Sequence, residues 1–416
     1  MTKKMRFILR LGTFLCMVKV QSQSEALTSS PYSLYGLGTI NQTGIGFSNG
    51  MGYSGIGLKT DREINNLNPA NYALISRNSF FYDVGVKAQY NTYANIGYNE
   101  SKTNVNFSNL ALAFSLMDRL GMGFTMVPYS DVGYSILGIQ TNVEGSNETF
   151  ESNVTGLGGL SDLRMNLGYG VSKKLRLGTS VSFLFGSIEE DESFTISGST
   201  FELEEQTNYN GVRFGFGLQY DLTDKVTIGC TIQLPTTLGG SLKRSVFKSL
   251  EGSEITVEDN VADDVSDFKM PMEIGLGFST NLFESLTLNA DYKKNFWKAT
   301  EQTENIGEYA DQDIFAFGAE YLKKSTSYKY SERIRYRAGF NYDNGYLALN
   351  DTKIDGYTIT AGIGFPVGTT SNSLINLSYG YGTKGQIQNI LIRENYHLLT
   401  LNLSLEDIWF RKRKID

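Results

Sequence analysis

The chain is poor in the residues that most catalytic centres and most disulfide-stapled folds require. Its 416 residues include one histidine, two cysteines and six prolines. With His397 alone, a histidine-based metal cluster is excluded, and a serine triad has only one candidate base. Cys16 falls in the leader described below, where Leu15 stands in place of the small residue that lipid attachment expects. Cys230 is then the only cysteine of the exported chain, and no intramolecular disulfide can form. Long apolar runs are missing as well. No exported segment has the ~20 consecutive apolar residues of a spanning helix, and the mean hydropathy is −0.23. Basic charge is not in surplus either: 37 Lys and Arg against 44 Asp and Glu leave a net charge of −7, which argues against nucleic acid as a partner. No cofactor is expected, and no enzymatic activity.

Glycine and aromatic residues, by contrast, are abundant: 44 Gly, 25 Tyr and 25 Phe. Residues 78–93 show how they are used. Phe80, Tyr82, Val84, Val86, Ala88 and Tyr90 alternate with Asp83, Gly85, Lys87, Gln89 and Asn91. A period of two describes an extended strand with one apolar and one polar face. The pattern recurs to residue 410, with no long amphipathic helix between. A sheet of that size would leave long unpaired edges unless it closed on itself. The expected fold is all-β: a transmembrane antiparallel β-barrel of about 14 strands, whose apolarity is hidden in every second residue.

Connections alternate in length. Those at 117–118, 172–174, 221–224, 281–285, 323–329 and 366–373 are short, whereas 135–158, 187–209 and 236–268 are long. Short periplasmic turns and long external loops are the asymmetry of an outer-membrane barrel. The N-terminus fits export, since Lys3, Lys4, Arg6 and Arg10 precede an apolar run ending near Val18, too short for an anchor. The expected division is a signal peptide at 1–23, an N-terminal periplasmic or luminal hatch at 24–77, the barrel at 78–410 and a basic periplasmic tail at 411–416. The location is the outer membrane of a Gram-negative cell.

Residues 30–74 are rich in glycine but carry Leu34, Tyr35, Ile45, Phe47, Met51, Tyr53 and Ile56, too apolar for a solvated linker. They read as a compact plug inside the barrel, with a flexible tail as the alternative. Inward parity places Arg333, Arg335 and Arg337 in one basic row, with Arg164, Arg213, Asp291 and Lys293 on other inner faces. Such charges either guide an anionic head group or pair with one another and pin the plug. In the third strand, Pro128 cannot donate to a ladder, and Tyr129, Ser130, Asp131, Val132 and Gly133 follow. The strand either bends inward here, opening a lateral gap, or merely leaves the membrane. His397 has outward parity and suits an aromatic girdle far better than a lipid-facing hydrolase. The acidic run at 255–267 suits a solvated loop better than a cation site, because its spacing matches no calcium loop.

Together, the glycine-rich start, the Asn68-Pro69-Ala70 triplet before strand one, the kinked third strand and about fourteen strands resemble the FadL/TodX family of outer-membrane hydrophobic-compound transporters. SPYSLYGLG at 30–38 and the ending DIWFRKRK resemble barrel proteins of the Bacteroidota. The resemblance implies that Asn68, Pro69 and Ala70 belong to the hatch and that residues 128–133 form a lateral opening. It implies uptake of hydrophobic, long-chain fatty-acid-like compounds. The loops at 134–158 and 187–209, which correspond by order to ligand-capturing loops, are rich in Glu, Ser, Thr and Asn. The alternative is therefore a non-transporting accessory or structural subunit of an outer-membrane assembly or secretion complex. Expected partners are outer-membrane lipid and lipopolysaccharide, a hydrophobic small molecule and, in the second reading, other outer-membrane proteins.

Overall fold

The computed structural model describes residues 30–408 apart from 143–148, 197, 251–252, 284, 304–306, 369–371 and 389–390. The leader with Cys16 and the tail with Trp409 and Phe410 lie outside the described residues. Fourteen strands form the wall: β1 Ser79–Asn95, β2 Tyr98–Met117, β3 Leu120–Asn142, β4 Thr149–Gly170, β5 Leu175–Ile196, β6 Ser199–Asp221 and β7 Val226–Gln233. After them come β8 Glu273–Leu282, β9 Leu286–Asn295, β10 Gln312–Leu322, β11 Arg335–Asp343, β12 Gly356–Pro366, β13 Leu374–Lys384 and β14 Arg393–Ile408. All pairings are antiparallel between chain neighbours. The barrel closes where β1 meets β14, from Ser79 opposite Ile408 to Ala94 opposite Arg393.

Alternation sorts the side chains as the period of two demands. Phe216, Leu276, Phe317 and Ile359 face outward and are 50–53% exposed. Asn109, Asn166 and Gln219 face inward and are fully buried. A polar interior with an apolar exterior inverts a water-soluble protein and fits a wall surrounded by lipid. The short turns and the two ends of the barrel share one rim, which in outer-membrane barrels is the periplasmic one. Cys230 lies on β7 opposite Leu218 and Leu276, with the outward parity of its neighbours. His397 also faces outward; its Nδ1 lies 2.7 Å from Tyr379 Oη, and the rings of Tyr90 and Tyr381 stand beside it. That is the setting of an interfacial aromatic belt.

The external connections are more ordered than their polarity suggests. Residues 135–158 and 187–209 are largely continuations of β3, β4, β5 and β6, with β5 and β6 paired up to Ile196 opposite Ser199. Residues 236–268 fold back as a hairpin, Thr236–Leu250 on Ser253–Asp263, which extends the same sheet beside β6. Beyond the bilayer a paired strand has water on both faces, so apolar alternation fades while the ladder continues. The acidic run lies mostly on this exposed hairpin, where Arg244 pairs with Glu258 at 3.1 Å and Asp263 at 3.6 Å.

On the inner face, glycines stand where the N-terminal segment crosses the wall. At Gly318 of β10, a Cβ would lie 2.7 Å from Met51 O and in collision with Ser54 Oγ. At Gly380 of β13 the nearest atom would be 3.5 Å away, an ordinary contact. Gly318→Ala is therefore expected to destabilise by about 1–3 kcal/mol through overpacking, and Gly380→Ala to be neutral. Loss of the compact, heat-modifiable form on electrophoresis measures both. Equal melting of the two variants would refute close packing of the segment.

In the external sheet Asp191 stands opposite Glu204 and Glu190 opposite Glu205, an arrangement that destabilises a ladder. Partial desolvation, and then the neighbouring carboxylates, hold Asp191 and Glu204 above the ordinary carboxylate range. Native-state pKa values raised above the unfolded values mean extra stability when the groups are protonated, lost as pH rises through them. Amides at 187–206 should exchange more slowly at pH 5 than at pH 7.5 after correction for intrinsic rates. An unchanged protection factor would contradict this.

Candidate functional site in the barrel lumen

From Ser30 to Asn78 the chain runs inside the barrel, and most of its residues are buried. Asn68 organises the turn that carries the NPA triplet. Its Oδ1 accepts from Ala70 N at 3.0 Å, and its Nδ2 donates to Ile56 O and to Leu218 O of β6, each at 3.0 Å. Pro69 then opens a short 3-10 helix, Pro69–Leu74, at a position where a missing N–H costs nothing. Pro69 and Ala70 are both buried.

Charged groups of the inner wall hold this segment. Asp291 Oδ2 accepts from Gly55 N at 2.6 Å and Ile56 N at 2.9 Å. Near the periplasmic rim, Glu63 Oε2 lies 2.7 Å from both Arg335 Nη1 and Arg337 Nη2, and Glu63 Oε1 accepts from Asn376 Nδ2 at 3.0 Å. Arg337 Nε also donates to Glu320 at 2.7 Å. Inward strand parity marks the arginines but not Glu63, which lies outside any strand. The expected row of three is a row of two. The 3-10 turn Tyr330–Glu332 ends on Arg333, so β11 begins only at Arg335, and Arg333 Nη1 donates to Gly368 O in the neighbouring turn at 2.6 Å.

Arg164, Arg213 and Lys293 form a separate group higher in the lumen. Arg164 pairs with Asp162 at 2.6 Å. Arg213 donates to Leu234 O and Pro271 O. Arg164 and Arg213, with Lys293 and Glu273, line a polar cavity of about 70 Å³.

Residues 128–133 mark a break in the wall. The β2–β3 ladder runs from Met117 opposite Leu120 only as far as Leu110 opposite Met126. Among the described residues, the rest of β2 is paired only with β1. Beyond Pro128, β3 instead carries an inner strand of two residues, Thr39 opposite Asp131 and Ile40 opposite Ser130. Asn41 N donates to Tyr129 O at 2.9 Å, Asn41 Nδ2 to Asp131 Oδ2 at 2.9 Å and Gly133 N to Ser33 Oγ at 3.0 Å. Val132 is buried. Without a ladder donor at Pro128, the strand exchanges one neighbour for another.

The external mouth is roofed. Trp297, Tyr309 and Tyr346 form a three-ring cluster, the Trp297 centroid 5.2 Å from each tyrosine and the two tyrosines 6.3 Å from one another, and Phe268 meets Trp297 edge-on. Tyr32 and Leu37 of the luminal segment complete this buried cluster with Leu238, Leu347 and Ile354. Tyr346 Oη donates to Gly38 O at 2.9 Å. These apolar islands lie off the strand period, and only the folded loops unite them. Among the described residues, no group of three or more His, Cys, Asp or Glu is placed to hold a metal.

A closed barrel with its apolar face outward, its lumen threaded by the segment at 30–78 and its third strand broken from the second defines the class: an outer-membrane β-barrel with the hydrophobic-compound channel fold. Solved structures share it. The Pseudomonas putida toluene transporter TodX superposes with a TM-score of 0.63 at 16% identity, covering 89% of this chain and 100% of its own. The CymD monoaromatic hydrocarbon channel gives 0.60 at 16%, covering 90% and 100%. A Pseudomonas aeruginosa FadL homologue gives 0.58 at 13%, covering 86% and 97%. At these identities the likeness is one of fold. The model of the BamG family matches residues 1–416, and the chain belongs to that family. No curated protein sequence matches it.

Glu63, Arg335 and Arg337 are buried together, so removing one partner strands charge in the interior. Glu63→Ala should cost roughly 3–5 kcal/mol, read as a lower urea midpoint for unfolding in detergent. A shift of under a tenth of that size would mean that the cluster does not hold the segment.

Proposed function

We propose that this protein is a closed, non-transporting barrel that serves as a structural subunit of an outer-membrane assembly, with no enzymatic activity. The observation that carries this reading is the roof. The apolar side chains of the external loops, which in a capture site would face an incoming ligand, pack on one another and on Tyr32 and Leu37. A pocket for a hydrophobic ligand is a mostly apolar cavity of roughly 300–1,000 Å³. The 400 Å³ cavity of this barrel lies at the periplasmic mouth and is lined by Lys59, Asp61, Arg62, Glu63, Asp224 and Lys225 among others. The segment at 24–77 then acts as a fixed plug, held by Glu63, Asn68 and Asp291. Partners engage the outward Tyr and Phe bands or the long external sheet. The segment SPYSLYGLG and the ending DIWFRKRK fit a Bacteroidota form of the fold, exported through a signal peptide at 1–23.

One observation favours a second reading, uptake of a hydrophobic, fatty-acid-like compound with lateral release at 128–133: the β2–β3 ladder stops at Leu110 and Met126. In that reading the plug is a movable hatch and the roof opens to admit the solute.

Mass spectrometry of the protein extracted gently from its own membranes separates the two. The subunit reading expects outer-membrane proteins at constant stoichiometry and no apolar solute inside. A stoichiometric hydrocarbon or fatty acid, with no constant protein partner, would replace it with the channel.

A further inference from the structure

The break between β2 and β3 opens onto a cavity with charged walls, ill suited to an apolar solute. From this we infer that the break is a binding site for the zwitterionic head group of a membrane phospholipid, entered sideways from the bilayer with the acyl chains left outside. A cavity of about 180 Å³ touches both lips of the break, Ser108 on β2 and Val127, Pro128 and Asp131 on β3. Its walls carry charge of both signs: Lys87 and Lys384 against Asp131, Asp343 and Glu394.

These groups are only partly committed to one another. Lys87 Nζ has Asp131 Oδ2 at 3.3 Å, which engages one of its three protons. Lys384 lies over the Tyr32 ring, 5.7 Å from its centroid, while Glu394 instead accepts from Ser30 Oγ at 2.8 Å. Thr39 Oγ1, also on the wall, is buried without a hydrogen-bond partner. A hydrocarbon here would strip water from these groups and return no hydrogen bond. A purely anionic head group would meet the three carboxylates unbalanced. A phosphate joined to an ammonium supplies one charge for each kind of wall, the phosphate beside the lysines and the ammonium beside the carboxylates.

The outer lip suits the other half of such a molecule. Val105, Phe107 and Leu110 of β2 are 73%, 41% and 42% exposed and offer acyl chains an apolar rail beside the opening. The charged groups inside and the apolar rail outside set the direction of binding, head inward and tails outward. That is the reverse of an apolar solute leaving the lumen. The inference does not rest on the subunit role; absence of protein partners would leave it standing.

The test uses the full-length protein in nanodiscs of equal phosphatidylethanolamine and phosphatidylglycerol, released into mild detergent for native mass spectrometry. The expected result is one retained lipid per barrel, with phosphatidylethanolamine at least tenfold over phosphatidylglycerol. Retention should fall at least tenfold in the Lys87→Met/Lys384→Met variant. It should fall equally in Ser108→Phe, which fills the lip and leaves the charges in place. Heat-modifiable migration checks folding, and if the double lysine variant does not fold, Ser108→Phe decides alone. Equal retention of the two lipids, unchanged retention in Ser108→Phe, or displacement of the lipid by saturating toluene would each overturn the assignment.

Discussion

The structure depends on one requirement: in hydrocarbon, no backbone N–H or C=O finds water, so every strand in the bilayer needs partners on both sides. Pairing of β1 with β14 over sixteen registered positions removes the edge that a fourteen-stranded sheet would otherwise expose. Once the wall is closed, its chemistry follows from the period of two. Outward positions must be apolar, and inward positions are free to be polar. That freedom lets an interior hold Asp83, Asn109, Asn402 and Ser404 in one hydrogen-bonded cluster, a composition that would be costly in the core of a soluble sheet.

A polar inner face creates a second problem, because its groups need partners or water. The luminal segment answers much of it. Backbone amides of Gly55 and Ile56 meet Asp291, the Glu63 carboxylate meets two guanidinium groups, and Asn68 ties helix, loop and wall together. Small residues let this happen at backbone distance. The same segment reaches the roof through Tyr32, Leu37 and Gly38, so the two mouths are coupled by one continuous strip of chain. Where the segment's inner strand takes the place of β2 beside β3, the wall opens. The lateral break thus follows from a single substitution of pairing partners beyond Pro128.

How much of this could be read in advance divides along physical lines. Strand number, direction and the outward set, Leu276 or Phe317 for instance, were legible because lipid contact imposes a local, repeating rule. The break at Pro128 was half legible, since a proline removes one donor but does not say which strand leaves. Arg335 and Arg337 were visible as inward charges, whereas Arg333 was misassigned because parity was extended through a turn. The external hairpins looked like loops because water on both faces erases the pattern without ending the ladder.

The sequence by itself therefore determined the barrel: alternation is a property of neighbours two residues apart, and closure follows from the solvent. Only the tertiary structure decided what fills that barrel. Glu63 reaches Arg335 and Arg337 across 272 and 274 positions, and Tyr32 joins Trp297 and Tyr346 from the far end of the chain. Contacts of that span obey no local period. They depend on which groups the closed wall brings face to face, and that choice is made by geometry and burial over the whole molecule.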